Sequence, residues 1–322
     1  SRRRDGRTRV AGMARSRHSR SEPVDGVLLL NKPAGLTSNQ ALQRVKRLLN
    51  ARKAGHTGSL DPAATGMLPL CFGEATKVCA FLLNADKTYR VTAKLGTATD
   101  TGDATGSVIE SADVPEMTAD DWDTILQGFH GESLQVPPMY SALKKDGKRL
   151  YELARKGETV EREPRPIRID SIELLEAAGA RLVFRVRCSK GTYVRSLVED
   201  IARAAGTVAH TARLHRETVA HFGADEMVDL KAVEASAAEG PSPLRESLLP
   251  PDRALTGLAE VCLDEAAALR FCGGQAVAAG DSGVHGLARV YGAGHVFLGV
   301  GEIAGDGRIA PRRVFGRPGG NP

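Results

Sequence analysis

The clearest hydrophobic pattern is an alternation in residues 87–95, which puts Tyr89, Val91, Ala93 and Leu95 on one face of a predicted strand. A continuous apolar run at 26–30 predicts a buried strand. Apolar residues at helical spacing predict a helix that follows Ser38, whose hydroxyl we expect to cap it. Both periods occur in one chain, which indicates that helices and strands contribute to the same fold.

The same patterns predict the remaining elements. We expect helices over 75–83, 119–127, 149–155 and from 191 to about 204, and strands at 168–175 and 181–188. An Ala-, Ser- and Pro-rich stretch at 235–251 is predicted to be a linker. Beyond it, a short helix at 264–271 and short strands near 287–291, 296–300 and 308–311 predict a small module resembling a β-barrel.

Charge is unevenly distributed along the 322 residues, whose formal net charge is +5. Residues 1–20 carry eight arginines and one aspartate, so the rest of the chain is slightly acidic. We interpret residues 1–22 as a basic, disordered tail, with no apolar segment of a secretory signal or membrane anchor. Five widely spaced cysteines lack metal-binding spacing and indicate a reducing, cytoplasmic location.

A loop rich in glycine at 55–66 presents one carboxylate, Asp61. The proline that follows disfavours a helical backbone at Asp61, and the glycines allow a ligand to approach closely. An ordinary Asp/Gly turn remains the alternative. Another polar loop, at 96–106, lacks the acidic spacing of a calcium loop, so we predict no metal site there.

Two further stretches are candidates for binding nucleic acid. A hairpin at about 137–157 carries basic and aromatic residues with few core residues, and is a candidate clamp on RNA phosphates. Lys190 and Arg195 flank a strand-to-helix junction, which is a natural position for an anion.

Several separated segments together resemble the TruB family of pseudouridine synthases, the bacterial tRNA pseudouridine-55 synthases. The matching segments are 31–38, 55–66, 87–89, 137–142 and 191–197, and they follow the family's order. Two departures lie in the segment 214–222, where His215 replaces the usual Arg and Ala220 replaces the common Gly.

The resemblance implies an α+β fold in two parts. Residues 23–250 would form the catalytic domain, with a mixed, mainly antiparallel sheet flanked by helices and with the RNA-clamping hairpin inserted in it. Residues 251–316 would form a PUA-like RNA-binding domain. The family expectation is a monomer that binds the T-stem loop of tRNA and needs neither a metal nor an organic cofactor, because the reaction is an isomerisation without net redox change.

The resemblance also assigns roles to individual residues. Asp61 would be the nucleophile, oriented by Arg195, which would also lower the pKa of the carboxylate. Tyr89 would stack on the displaced base, although from the residues alone it is either a core tyrosine or a ring facing the site. Four residues would bind or support the substrate: His56, Leu197, Tyr193 and Lys32.

Some alternatives stay open. Asp61 would either attack ribose C1′ or assist elimination of uracil to a glycal. His56 would either fill the gap left by an extruded base or serve as a hydrogen-bonded loop histidine. The protein as a whole could instead be a tRNA-folding chaperone in which Asp61 is incidental, or a synthase that depends on a guide RNA. The hairpin and the small C-terminal module favour an enzyme that acts alone.

Overall fold

The protein is described by a computed structural model that covers residues 23–141, 143–145, 147–280 and 285–315. The predicted basic tail at 1–22 lies outside these residues. The strands are β1 (Gly26–Lys32), β2 (Ala54–His56), β3 (Thr65–Phe72), β4 (Lys87–Leu95), β5 (Thr97–Thr99), β6 (Val108–Ser111), β7 (Gly131–Gln135), β8 (Lys144–Lys145), β9 (Lys148–Arg149), β10 (Arg165–Ala178), β11 (Arg181–Cys188), β12 (Ala209–Val219), β13 (Val228–Asp229), β14 (Ala259–Cys262), β15 (Val277–Ala278), β16 (Gly286–Gly292), β17 (Val296–Ile303) and β18 (Arg308–Val314). The helices are α1 (Ser38–Leu48), α2 (Cys79–Asn84), α3 (Ala119–Gln127), α4 (Leu150–Ala154), α5 (Val194–Ala204), α6 (Leu230–Ala238), α7 (Pro241–Glu246) and α8 (Glu265–Cys272).

The larger sheet runs β13-β1-β3-β12-β4-β11-β10-β7, with β2 also paired to β3. The β1–β13 and β3–β12 pairs are parallel, and the other pairs in this sheet are antiparallel. Helices α3, through Trp122, and α5 contribute to a core cluster that also contains Tyr89 and Phe184 of the sheet. Helices α1 and α6 pack against the β1–β3 end of the sheet. The predicted α+β fold with a mixed, mainly antiparallel sheet is therefore confirmed.

The predicted alternation in β4 is confirmed, because buried and less buried residues alternate from Lys87 to Leu95. The predicted cap of α1 is wrong: Thr37 is the N-cap, in a capping box with Gln40, and Ser38 is the first helical residue. The hydroxyl of Ser38 instead bonds the backbone of Leu60, in the loop that carries Asp61. The Ser38 side chain, which was expected to cap its own helix, thus anchors the neighbouring loop that carries Asp61.

The predicted linker at 235–251 is also wrong. Helix α6 extends to Ala238, and α7 follows it at Pro241–Glu246. Pro241 is the first residue of α7, a position where proline starts a helix rather than breaking one. Leu244 is 1% exposed and packs with Val233 in the core cluster of α1 and α6.

The C-terminal module is a five-stranded sheet in the order β14-β16-β17-β18-β15, with α8 packed against it. The module contacts the rest of the protein through apolar side chains: Val300 and Phe297 share a hydrophobic cluster with Val78 and Leu82. Lys77 also donates from its ammonium group to the carbonyl of Val314, at 2.6 Å. The module therefore packs against the segment that connects β3 and β4.

Candidate active site

Asp61 lies in a loop, between β2 and β3, that is anchored on both sides of the carboxylate. The backbone N–H of Leu60 donates to the Ser38 hydroxyl at 2.8 Å, and that hydroxyl donates to the Leu60 carbonyl at 3.1 Å. The carbonyl of Pro62 accepts from the backbone of Gly35 at 2.8 Å and from the Lys32 ammonium at 3.3 Å. These contacts fix the backbone that presents the acid.

Arg195 is the second residue of α5, and its guanidinium is directed at Asp61. Nε lies 3.0 Å from Oδ2, and Nη2 lies 3.5 Å from Oδ1. The remaining donors reach the backbone carbonyls of Thr101 and Tyr140, each at 2.7 Å. Only 8% of the Arg195 side chain is exposed, compared with 42% of Asp61, so the arginine is a buried support and the carboxylate faces an opening.

The opening is a cleft of about 910 Å³, and Asp61 and Arg195 lie on its wall. Other side chains from the loops and α4 complete the lining, among them His56, Asp103, Tyr151 and Arg155. The guanidinium of Arg155 lies 5.6 Å from the centre of the Tyr151 ring. The predicted hairpin, formed by β8, β9 and α4, therefore borders the cleft.

The pKa of Asp61 differs from the expectation for an aspartate paired with arginine. Burial raises it, and the nearby Asp103 carboxylate raises it further, while Arg195 and Lys32 act in the opposite direction. Burial is the largest contribution, so the net change is upward. Arg195 thus offsets part of the cost of holding a charged acid at this position.

The other predicted site residues divide into two groups. His56 lines the cleft, and burial together with Arg216 lowers its pKa, so the ring is neutral at pH 7. Tyr89 and Leu197 are 8% and 2% exposed and belong to the core cluster that includes Leu60, behind the loop of Asp61. Burial raises the pKa of the Tyr89 phenol, so it stays protonated at neutral pH.

Lys32 and Tyr193 support the site from outside the cleft. Lys32 is fully buried, and its ammonium donates to the carbonyls of Pro33 and Leu36 at 2.8 and 2.7 Å as well as to Pro62. Burial lowers its pKa to about 8. Tyr193 is the N-cap residue of α5, and its backbone N–H and carbonyl both bond the side-chain amide of Gln135, at 2.7 and 3.1 Å.

Sequence reasoning missed two charged residues of this region. Asp103 lies in the polar loop that we considered only as a calcium site, and its Oδ1 accepts from Thr101 and Thr105. Arg216, in β12, is 1% exposed and donates to the carbonyls of Met67 and Gly58 at 2.7 and 2.8 Å. The one available signal for Arg216 is its position two residues after Leu214, on the same strand face.

The two departures in the segment 214–222 are accommodated locally. His215 Nδ1 lies 2.8 Å from the hydroxyl of Thr65, at the start of β3. Ala220 adopts a φ of 56°, a left-handed conformation that glycine tolerates better than alanine. Neither residue contacts Asp61.

Among the described residues, no group of His, Cys, Asp and Glu has the geometry to hold a metal ion. Within the same part of the chain, no helix is both long enough and apolar enough to cross a membrane.

Models of one enzyme family match three consecutive parts of the chain. The TruB family pseudouridylate synthase N-terminal domain matches residues 46–194. The tRNA pseudouridylate synthase B C-terminal domain matches 195–256, and the pseudouridine synthase II TruB C-terminal domain matches 259–315. The three matches follow one another along the chain, so they describe one continuous family architecture.

Similar proteins include tRNA pseudouridine synthase B of Pseudomonas putida, 50% identical over 293 residues that cover 91% of this chain and 96% of the relative. The protein of the same name from Aromatoleum aromaticum is 52% identical, covering 92% and 94%. Among solved structures, a Cbf5-Nop10-Gar1 complex matches with a TM-score of 0.68 and 29% identity, over 86% of this chain and 78% of the other. An H/ACA RNP bound to a substrate RNA containing 2′-deoxyuridine matches with a TM-score of 0.69 and 26% identity, over 90% and 85%. The family models and these near full-length relatives place the chain in the TruB family of pseudouridine synthases.

Proposed function

We propose that this protein isomerises a uridine of tRNA to pseudouridine, at position 55 in the T loop, with Asp61 as the nucleophile. The observation that carries the proposal is the Asp61–Arg195 ion pair, at 3.0 Å, on the wall of the large cleft. A carboxylate held by a buried guanidinium attacks without a separate base once it is ionised. The relatives named tRNA pseudouridine synthase B supply the substrate class.

The reaction breaks the N-glycosidic bond, rotates the uracil and joins ribose C1′ to uracil C5. Asp61 either attacks C1′ and forms an ester or assists elimination of uracil to a glycal, and the pair with Arg195 is compatible with both. In either case the target nucleotide leaves its stack to reach the cleft, at a cost of a few kcal/mol. Contacts to phosphates by cations such as Arg155 offset that cost.

Two further side chains have supporting roles in this proposal. Neutral His56, on the cleft wall, is positioned to occupy the space that the extruded nucleotide leaves in the RNA. For Tyr89, which is 8% exposed and packs in the core cluster, the proposal assigns stacking on the base. Because its phenol is protonated at neutral pH, stacking suits Tyr89 better than a role as general base.

A guide-dependent synthase is the second candidate, since the solved structures similar to this chain include a Cbf5-Nop10-Gar1 complex and an H/ACA RNP. Their identity to this chain is 26–29%, whereas the relatives named tRNA pseudouridine synthase B reach 50–52%. The difference in sequence identity favours an enzyme that acts on tRNA without a guide RNA.

The test is to incubate the purified protein with an unmodified tRNA transcript and to map pseudouridine along the RNA. A transcript with cytidine at position 55 is the matched control. We expect product at uridine 55 only, and none in the control. Product at other positions would contradict the site assignment, and product that requires an added guide RNA would support the second candidate.

A further inference from the structure

A small cavity lies beside Asp61 and shares Asp61, Asp103 and Arg195 with the large cleft. Its volume is about 30 Å³, and its polar lining consists of Asp61, Asp103, Arg195, Thr211 and Arg213. A space on the order of 10–15 Å³ is enough for one water molecule, so this cavity admits one and excludes a nucleobase or a sugar.

The Thr211 hydroxyl identifies the cavity as a polar binding site. Thr211 is 4% exposed, and its Oγ1 is buried without a hydrogen-bond partner among the residues that the structure describes. The backbone of Thr211 is fully engaged, because its N–H donates to Gly102 and its carbonyl accepts from Ala104, at 2.9 and 3.1 Å. Leaving such a hydroxyl unsatisfied costs about 1–3 kcal/mol, so a partner in the cavity is favoured.

The local backbone keeps the cavity open. The pairing of β12 with β4 shifts register between Thr211 and Arg213, so that one extra residue is inserted in β12. Such bulges reorient side chains next to functional sites. The rest of the lining is dominated by residues too small to fill the space, namely Ala63, Ala64, Ala104 and Ala212.

We propose that this cavity binds a single water molecule that accepts a hydrogen bond from Thr211 and donates its two hydrogens to the carboxylates of Asp61 and Asp103. The water would separate two like charges that face one small space. A metal cation is a poorer occupant, because the guanidinium of Arg195 already lies on the same wall. The catalytic part of the proposal rests on the proposed function of Asp61.

The bound water stabilises the ionised form of Asp61, which burial and Asp103 disfavour. The other groups that act on this carboxylate are Arg195 and Lys32, which favour ionisation. Replacing Thr211 by Val removes the hydroxyl at nearly constant shape, and Thr211→Ser retains it. Both substitutions leave Arg195 and Asp103 in place.

Two measurements test the proposal. In a crystal structure of the full chain at about 1.8 Å or better, we expect water density within hydrogen-bond distance of Thr211 Oγ1 and a carboxylate oxygen, and its loss in Thr211→Val. In single-turnover assays, Thr211→Val should slow pseudouridine formation by roughly three- to tenfold at a pH on the acidic limb of the wild-type pH–rate profile and less than twofold at pH 8, because each pKa unit changes the ionised fraction about tenfold where the acid is mostly protonated. Thr211→Ser should behave as the wild type.

A dry cavity in the wild type, or a Thr211→Val rate that falls equally at both pH values, would overturn the proposal. A melting temperature within about 3 °C of the wild type, a shift worth less than roughly 1 kcal/mol, verifies that the variant is folded. If the wild type formed no pseudouridine, the proposed function would fail, while the crystal structure would still decide whether water is bound.

Discussion

Replacing Arg195 by Met removes the charge beside Asp61 while keeping a side chain of similar length. The substitution eliminates the contacts at 3.0 and 3.5 Å to the carboxylate and leaves the carbonyls of Thr101 and Tyr140 without their donor. Arg195 opposes the effect of burial on Asp61, so its loss raises the pKa of the carboxylate further. An opposite charge at this distance is worth roughly 1–3 pKa units.

The expected loss of activity combines two effects. Misorientation of a reacting group costs on the order of 100-fold in rate. The raised pKa adds little at pH 8 but up to about tenfold per pKa unit where the carboxylate becomes protonated. We therefore expect single-turnover pseudouridine formation to fall about 100-fold at pH 8, with the acidic limb of the pH–rate profile displaced upward by 1–3 units.

Two further variants separate charge from geometry. Arg195→Lys retains the charge but not the planar fork, so its acidic limb should remain near that of the wild type while the rate falls. Arg203→Met, on the same helix, removes an arginine whose side chain is 73% exposed, and should leave both quantities unchanged. An Arg195→Met rate within threefold of the wild type, or an unmoved acidic limb, would refute the reasoning.

Three other substitutions test the supports of the site. The pKa of Lys32 is lowered from 10.5 to about 8, so between these pH values the unfolded state binds more protons and the free energy of unfolding rises with pH. In urea denaturation, Lys32→Met should remove about 3 kcal/mol of that rise. An unchanged dependence of the free energy of unfolding on pH would contradict the burial argument. Ala220→Gly should raise the free energy of unfolding by up to about 1 kcal/mol, because Ala220 has a φ of 56°, which glycine adopts more easily. Ala235→Gly is the control: Ala235 lies inside a helix, so this substitution should lower the free energy of unfolding by about as much. Arg155→Ala should weaken tRNA binding and reduce the slope of log affinity against log salt concentration by about one. The control is Arg181→Ala, because Arg181 is exposed and paired with Glu176. An unaltered slope for Arg155→Ala would show that Arg155 does not contact a phosphate.

Elements with a clean hydrophobic period were predictable from the sequence. The alternation of β4 and the helix predicted at 119–127, which is α3, both depend on neighbours close in sequence, and both are present. Strand β12 was not predicted, although it lies in the middle of the larger sheet between β3 and β4. Its polar residues, such as Arg216 and Thr211, are buried, so the sequence of this strand resembles that of a segment exposed to solvent.

The relation between Asp61 and Arg195 was available only from family resemblance, because 134 residues separate them. The contribution of Asp103 depends on a loop folding back onto β12, where Asp103 forms a bridge with Thr211. No local spacing encodes that approach. The partial burial of Asp61 was likewise not readable from a loop of glycines and small polar residues, which is why the direction of its pKa shift was not anticipated.

The most direct test of the central claim is the single-turnover yield of pseudouridine at position 55 with Asp61→Asn, measured together with tRNA affinity. Asparagine keeps the size of the side chain but is not an effective nucleophile, and loss of a nucleophile costs on the order of 10⁴-fold or more. We predict that tRNA binding remains within about tenfold of the wild type while product formation becomes undetectable. Product formed by Asp61→Asn at a rate near that of the wild type would contradict the account.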